Sequence, residues 1–207
     1  MTDRLIDRTL REFTEDLASE RPVPGGGSAA AYAGALGAAL CAMVLRISEK
    51  KAPEPLTERI AELDGLRVDF LRLVDDDSAA FGRVAAAMKM ARATPDEKAR
   101  RKERMQAGLV GAAKVPLEVA STARRLLDLC EKVMSEANPA TISDIGVGAL
   151  MAETALRGAA ENVIINLASI ENAEQVKALS EELDRALDGS EAQRERVVQF
   201  VESRIAR

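Results

Sequence analysis

Apolar positions along this chain recur at steps of three and four, the period of helices that bury one face. Leu5, Ile6, Leu10, Phe13 and Leu17 form the first set and stop before Pro22 and Pro24, which set an extended turn. A second helix is expected from Ser28, whose hydroxyl is placed to cap the free amides, to about Glu49, with Pro53 and Pro55 closing it. Leu56, Ile60, Leu63, Leu66, Phe70, Val74, Phe81, Val84 and Met88 carry the pattern through a very long third helix that ends near Thr94-Pro95. The charged stretch "DEKARRKERMQAGLV" predicts a fourth helix, and Pro116 is expected to start or kink the next, which carries Leu126, Leu127, Cys130 and Val133. After the break "EANPATISD", a helix rich in small residues is expected from Ile142 to about Ile170, then an amphipathic closing helix over 173–206, interrupted or weakened at Gly189. Long helices with short breaks predict an all-α fold, a single-domain antiparallel bundle of long helices over residues 1–207.

Two of these helices carry small residues where large ones are usual. Ala30, Gly34, Ala38 and Ala42 repeat every four residues, and Gly146, Gly148, Ala152, Ala155 and Ala159 make a comparable surface. Such faces let helix backbones approach closely, either inside the bundle or across a symmetric homodimer, and a dimer built on them is the expectation. The run Ala29 to Leu45 approaches the length of a membrane span, but alanine and glycine dominate it and charged amphipathic helices surround it, so no membrane partner is expected. Gly25, Gly26 and Gly27 precede this helix. A capping turn normally needs one glycine. Three would let a ligand lie directly on the backbone and use the amides of the helix start as donors. No GK[ST] follows and no strand precedes, which excludes a phosphate-binding P-loop and a dinucleotide fingerprint.

Polar residues on apolar faces mark candidate chemistry. The third-helix stripe Phe70, Val74, residue 77, Phe81, Val84 and Met88 steps by four, three, four, three and four, and residue 77 is Asp. A carboxylate on a buried face costs on the order of several kcal/mol unless paired or hydrogen-bonded, so Asp77 is either half of a structural ion pair or part of a site, with Asp75 and Asp76 free to face solvent. Farther on, Asp144, Gly148, Ala155, Ala159, Asn162 and Asn166 share one face, yet Asp144 and Asn162 would stand about 27 Å apart along the axis. Either Asp144 caps its helix and the asparagines bond neighbouring helices, or a partner chain supplies one end of the site. Lys50 and Lys51, at the end of the second helix, either complement its dipole in solvent, bind an anionic substrate tail, or act as acid or base.

Composition narrows the chemistry. Hydrophobic residues make up 47%, charged residues 30% and aromatics 2% with no Trp, a balance that favours Ala/Leu-rich helices over sheets. A net charge of -5 and a pI near 5.1 leave no electrostatic footprint for nucleic acid. The chain has no histidine, which removes the usual transition-metal ligand, the Ser-His-Asp arrangement and the commonest general base; no metal site is expected. Cys41 and Cys130 lie within apolar helical patterns without CxxC spacing and are expected to be reduced core thiols. The N-terminus lacks the basic start and apolar block of a signal peptide, so a cytoplasmic protein is expected.

Three blocks, "PVPGGGSAAAYAGALGAALCAMV", "DDDSAAFGRVAAAM" and "ISDIGVGALMAETALRGAAENVIINL", resemble the cyclodeaminase part of the formiminotransferase-cyclodeaminase family, whose stand-alone bacterial members include methenyltetrahydrofolate cyclohydrolases. They fall in the family's order over nearly the whole chain. The resemblance implies an all-helical dimer, a folate pocket near the glycine loop, chemistry on the one-carbon bridge between N5 and N10 of tetrahydrofolate, and no cofactor beyond that substrate. It carries Gly25, Gly26, Gly27 and Ser28 onto the family loop, and Lys50 onto a lysine after helix two. It carries Asp77 onto the aspartate ahead of the Ala-Phe pair, and Ser143, Asp144, Asn162 and Asn166 onto the third motif. On this reading Asp77 stabilises charge or acts as general base, Lys50 shuttles a proton, Asp144 with the loop amides holds the pterin, and Arg92 attracts the glutamate tail. The rival readings are a non-catalytic folate-binding relative and a helical scaffold whose small faces serve only dimerisation.

Overall fold

In the computed structural model, which describes residues 4–50 and 52–205, an up-down-up-down arrangement of four helices forms the centre of the molecule. These are α2 (Gly26–Glu49), α3 (Thr57–Met88), α4 (Pro95–Val133) and α5 (Ile142–Leu167); they follow a short α1 (Leu10–Leu17). Helix α2 lies between α3 and α5, and α4 sits across the diagonal from it. The closing segment is two helices, α6 (Ala173–Leu187) and α7 (Ser190–Ile205), laid over α4 and α5 and separated at Gly189, whose φ of 67° favours glycine. Lys51 lies outside the described residues.

Local chemistry moves several of the expected boundaries. The first predicted helix is a 3-10 turn, Leu5–Asp7, followed by α1, because Thr9 and Glu12 form a capping box that restarts the helix. Helix α2 begins at Gly26, two residues before the expected cap, with Gly25 at its N-cap and no side-chain cap bond. The charged fourth helix and its successor are one element, since α4 runs unbroken through Pro116. Proline has no N–H to give the carbonyl four residues back. That carbonyl belongs to Ala112, and it accepts instead from Asn166 Nδ2 of α5 at 3.2 Å. A side chain from the neighbouring helix thus replaces the missing backbone donor.

The core is aliphatic: Leu45, Leu63, Leu66, Leu73, Leu126, Leu127, Ile145 and Leu156 are fully buried around Phe70. Both small-residue faces work inside the chain. A β-carbon at Gly34 would lie 2.5 Å from Phe70 Cζ, so the glycine is what seats the ring of α3 against α2. On the other flank Ala30 meets Gly158 of α5, and Ala152, Ala155 and Ala159 are completely buried. The expected dimer contact on these faces is therefore corrected, because the bundle already occupies them. The large apolar residues that α2 and α5 leave in solvent are different ones: Leu36, Met43 and Ile47 on α2, Val147 and Leu150 near the start of α5, and Ile164 and Ile165 near its end. Among the described residues α2 is the one helix long and apolar enough to cross a membrane, and 61% of its most apolar window is buried in the bundle. Cys41 of α2 and Cys130 of α4 meet across the diagonal with their sulfurs 3.5 Å apart, both fully buried and unbridged. The bond to Cys41, with burial, pushes the Cys130 thiol up.

Candidate active site at the start of α2

The glycine turn enters α2 through a cis Val23–Pro24 peptide and leaves the first amides of the helix without intrahelical acceptors. One of them has a partner: the Ser28 N–H donates to Asp77 Oδ2 of α3 at 2.9 Å. The Ser28 hydroxyl lies 3.0 Å from the same oxygen and 2.9 Å from the Val74 carbonyl. Ser28 therefore joins α2 to α3 and does not cap its own helix. Gly27 is what permits the approach, since a β-carbon there would lie 2.6 Å from Asp77 Cγ. Gly26 stands against α5, where a β-carbon would come within 3.1 Å of Asn162 Nδ2. A β-carbon at Gly25 would meet nothing within 4 Å.

Three consecutive aspartates have three different fates. Asp75 accepts from the Leu5 N–H at 2.7 Å and from Arg4 Nε at 3.2 Å. Asp76 pairs with Arg72, which also holds Glu118. Neither is free in solvent as the spacing suggested. Asp77 has no cation among the described residues, so the alternative of a structural ion pair fails for it. Burial pushes its carboxyl above the ordinary range, and the Ser28 hydroxyl and amide pull partly back. Ser28 has one hydroxyl proton and three oxygens within reach, Asp77 Oδ2, the Val74 carbonyl and, at 3.3 Å, the Ser78 hydroxyl, which can itself donate. With Asp77 ionised that proton turns to the carboxylate; with Asp77 protonated, the acid can donate to Ser28 Oγ while Ser28 bonds Val74. The geometry thus accommodates both protonation states without moving a heavy atom.

The remaining predicted residues divide between the two ends of the bundle. Asn162 lies at the glycine turn, its amide donating to the Gly158 carbonyl of its own helix at 2.8 Å. Asn166 is one turn farther on, and its Nδ2 donates to the carbonyls of Ala112 and Asn162, so that end of the amide braces α4. Lys50 is exposed at the C-terminal end of α2, about 36 Å along the axis from Gly26. Ser143 and Asp144 are in the first turn of the antiparallel α5 and so share that far end. Asp144 is not the cap: Thr141 occupies the N-cap position, with no side-chain bond. Arg92 is exposed in the α3–α4 turn, beyond Met88 and therefore more than about 16 Å along α3 from Asp77. Near Lys50 there is a separate cleft of about 450 Å³, lined by Ser48, Leu56, Arg59, Glu136 and Asn138 among others. Among the described residues no group of three or more Cys, Asp or Glu could hold a metal ion.

What one chain assembles is therefore a half-buried carboxylate of raised pKa beside unpaired helix-start amides. Such a site can hold a cation, take or return a proton, and donate to a carbonyl. Residues 9–185 match the model of the formiminotransferase-cyclodeaminase family. The chain is 37% identical over 204 residues to a methenyltetrahydrofolate cyclohydrolase of Methylorubrum extorquens, covering 96% of this chain and 98% of that protein. It is 34% identical over 207 residues to a formimidoyltransferase-cyclodeaminase of Gallus gallus, covering 98% of this chain but 38% of that longer protein. The crystal structure of a formiminotetrahydrofolate cyclodeaminase from Thermotoga maritima superposes with a TM-score of 0.79 at 30% identity, over 96% of both chains.

Proposed function

The chain belongs to the formiminotransferase-cyclodeaminase family, and from that premise we propose that it is a folate one-carbon enzyme working as a methenyltetrahydrofolate cyclohydrolase, with Asp77 as its base. The near-complete match to a stand-alone cyclohydrolase supports this choice between the family's activities. The observation that carries the site is the carboxylate held by Ser28 without a cation. In the reaction, the amidinium carbon between N5 and N10 is electrophilic, and ionised Asp77 offsets its positive charge. Water adds to that carbon as Asp77 takes its proton; one C–N bond then breaks, the departing nitrogen is protonated, and a formyl group stays on the other. A cation and water give a neutral formyl compound and one released proton, so the step balances with no cofactor beyond the folate. We also assign the enzyme to the cytoplasm, where its two buried thiols stay reduced.

The distant residues enter through a second copy. A two-fold axis crossing α2 near Ala38 runs the two α2 helices antiparallel and pairs Gly26 of one with Lys50 of the other. The exposed Leu36, Met43, Ile47, Val147 and Leu150 supply the apolar surface such a homodimer needs. Lys50, Ser143 and Asp144 of one copy then complete the glycine turn, Asp77 and Asn162 of the other, with Lys50 returning the proton and Asp144 binding the pterin. Asp77→Asn and Lys50→Ala should each be inactive alone. Mixed and allowed to exchange subunits, they should recover about a quarter of wild-type activity, because half the dimers carry one intact site. No recovery from a mixture shown to contain heterodimers overturns the shared site.

A cyclodeaminase reading is favoured by the Thermotoga maritima likeness. There N10 attacks a formimino carbon and ammonia leaves. Loss of methenyltetrahydrofolate absorbance, set beside ammonia release from formiminotetrahydrofolate, decides between the two; neither signal would sink both.

A further inference from the structure

Helix α3 outlasts α2. Phe70, Val74, Asp77, Phe81 and Met88 lie along one stripe of α3. The lower part of that stripe faces α2: Phe70 sits against Gly34, the Val74 carbonyl meets Ser28, and Asp77 meets Gly27. At Asp77 the covering helix stops. Of the next residues on the stripe, Phe81 and Met88 are 37% and 55% exposed, while Val84, at the edge nearest α4, stays buried. Helix α3 has not rotated away from the bundle, because Ala80, Val84 and Ala87 remain buried on its α4 side. Phe81 is thus partly uncovered because the turn that would have closed over it is replaced by the glycine entry to α2.

We infer that Phe81 is a substrate-binding residue, an aromatic wall on which a flat ring adjoining the one-carbon bridge of the folate stacks while Asp77 faces the bridge itself. The inference rests on the folate reading above. Phe81 is one turn beyond Asp77, about 6 Å along the axis, so a ligand seated at Asp77 reaches the ring across a single turn of one helix face. The other phenylalanines are engaged elsewhere: Phe70 in the core, Phe13 on Tyr32, and Phe200 beneath Arg204. A ring left half in water next to a polar site gains most from an aromatic partner, through an offset stack and the exclusion of water.

The chain has no tryptophan, so Phe81→Trp introduces a single reporter at this wall. Its emission should be quenched saturably by methenyltetrahydrofolate, with a midpoint near the KM of the same variant. Phe81→Leu should raise KM roughly three- to tenfold with kcat within about twofold, and Phe81→Tyr should restore it. Melting temperature should fall only slightly across the series, since the ring is already partly exposed. An unchanged KM in Phe81→Leu, or an unquenched tryptophan in a variant that still turns substrate over, overturns the inference and leaves the folate reading standing. A lowered oligomer mass in Phe81→Leu at unchanged KM also overturns it, assigning the ring to a contact between copies. Failure of the wild-type chain to consume either folate overturns the function first, before any variant is made.

Discussion

The two ends of α2 hold equally conspicuous polar residues in opposite conditions. At the N-terminal end, glycine brings backbone into contact with a carboxylate, and Asp77 is fixed by two bonds from Ser28 with no countercharge. At the C-terminal end, Lys50, Ser143 and Asp144 stand at the surface or near it, with no caging contact of this kind. The contrast teaches that fixing a catalytic group requires enclosure as well as a charge on the right helix. The far end supplies charges that become a site only when something packs against them.

Asp77→Asn strikes the enclosed end most directly. If Asp77 is the base, turnover falls by about 100-fold or more, whereas unchanged kcat at intact fold sinks the assignment. The same variant carries a stability signature of opposite sign. Because burial raises the native carboxyl above the ordinary aspartate value of 3.8, the folded chain keeps a proton that the unfolded chain has already released. Native stability from this group is fully present below that value and declines as pH rises through the raised pKa. Asp77→Asn should remove the decline and melt higher at neutral pH, a result read by thermal scans from pH 4 to 8. Wild-type activity should instead rise over the window in which the carboxyl ionises.

Gly27→Ala tests whether the enclosure itself matters. The added methyl must displace the carboxylate, and kcat/KM should drop by about tenfold or more, since misplacing a catalytic group by an ångström is costly. Gly25→Ala, with open space around its β-carbon, should stay within about twofold of wild type; equal losses at the two positions would remove the distinction. Asn166→Ala should lower stability by about 1–3 kcal/mol with a smaller effect on chemistry, because it orphans the Ala112 carbonyl that Pro116 cannot serve. Denaturant melts measure that cost. The smallest effect belongs to Arg92→Ala, exposed in a distant turn, for which a modest rise in KM at unchanged stability is expected.

Much of this was legible because helical periodicity reports burial. The stripe through Phe70 and Val74 marked Asp77 as the misplaced polar residue, and the glycines before α2 marked the place where something had to approach. Other features depend on partners that periodicity does not name. The unbroken α4 needs Asn166, fifty residues downstream of Pro116. The exposure of Phe81 follows from the relative lengths of α2 and α3, so on a stripe that spelled core along its whole length Phe81 and Met88 reach solvent past Asp77 while Val84 stays buried against α4. The restart of α1 was encoded locally: Thr9 and Glu12 have the spacing of a capping box.

Cys41 and Cys130 offer a clock for the motions of this bundle. Their sulfurs are sealed on the α2–α4 diagonal, and at least Cys130 is shifted away from its reactive thiolate, so iodoacetamide can reach them only when those helices part. The rate of alkylation in native buffer therefore counts openings of the molecule. A ligand that seats α2 more firmly against its neighbours would make that clock run slow.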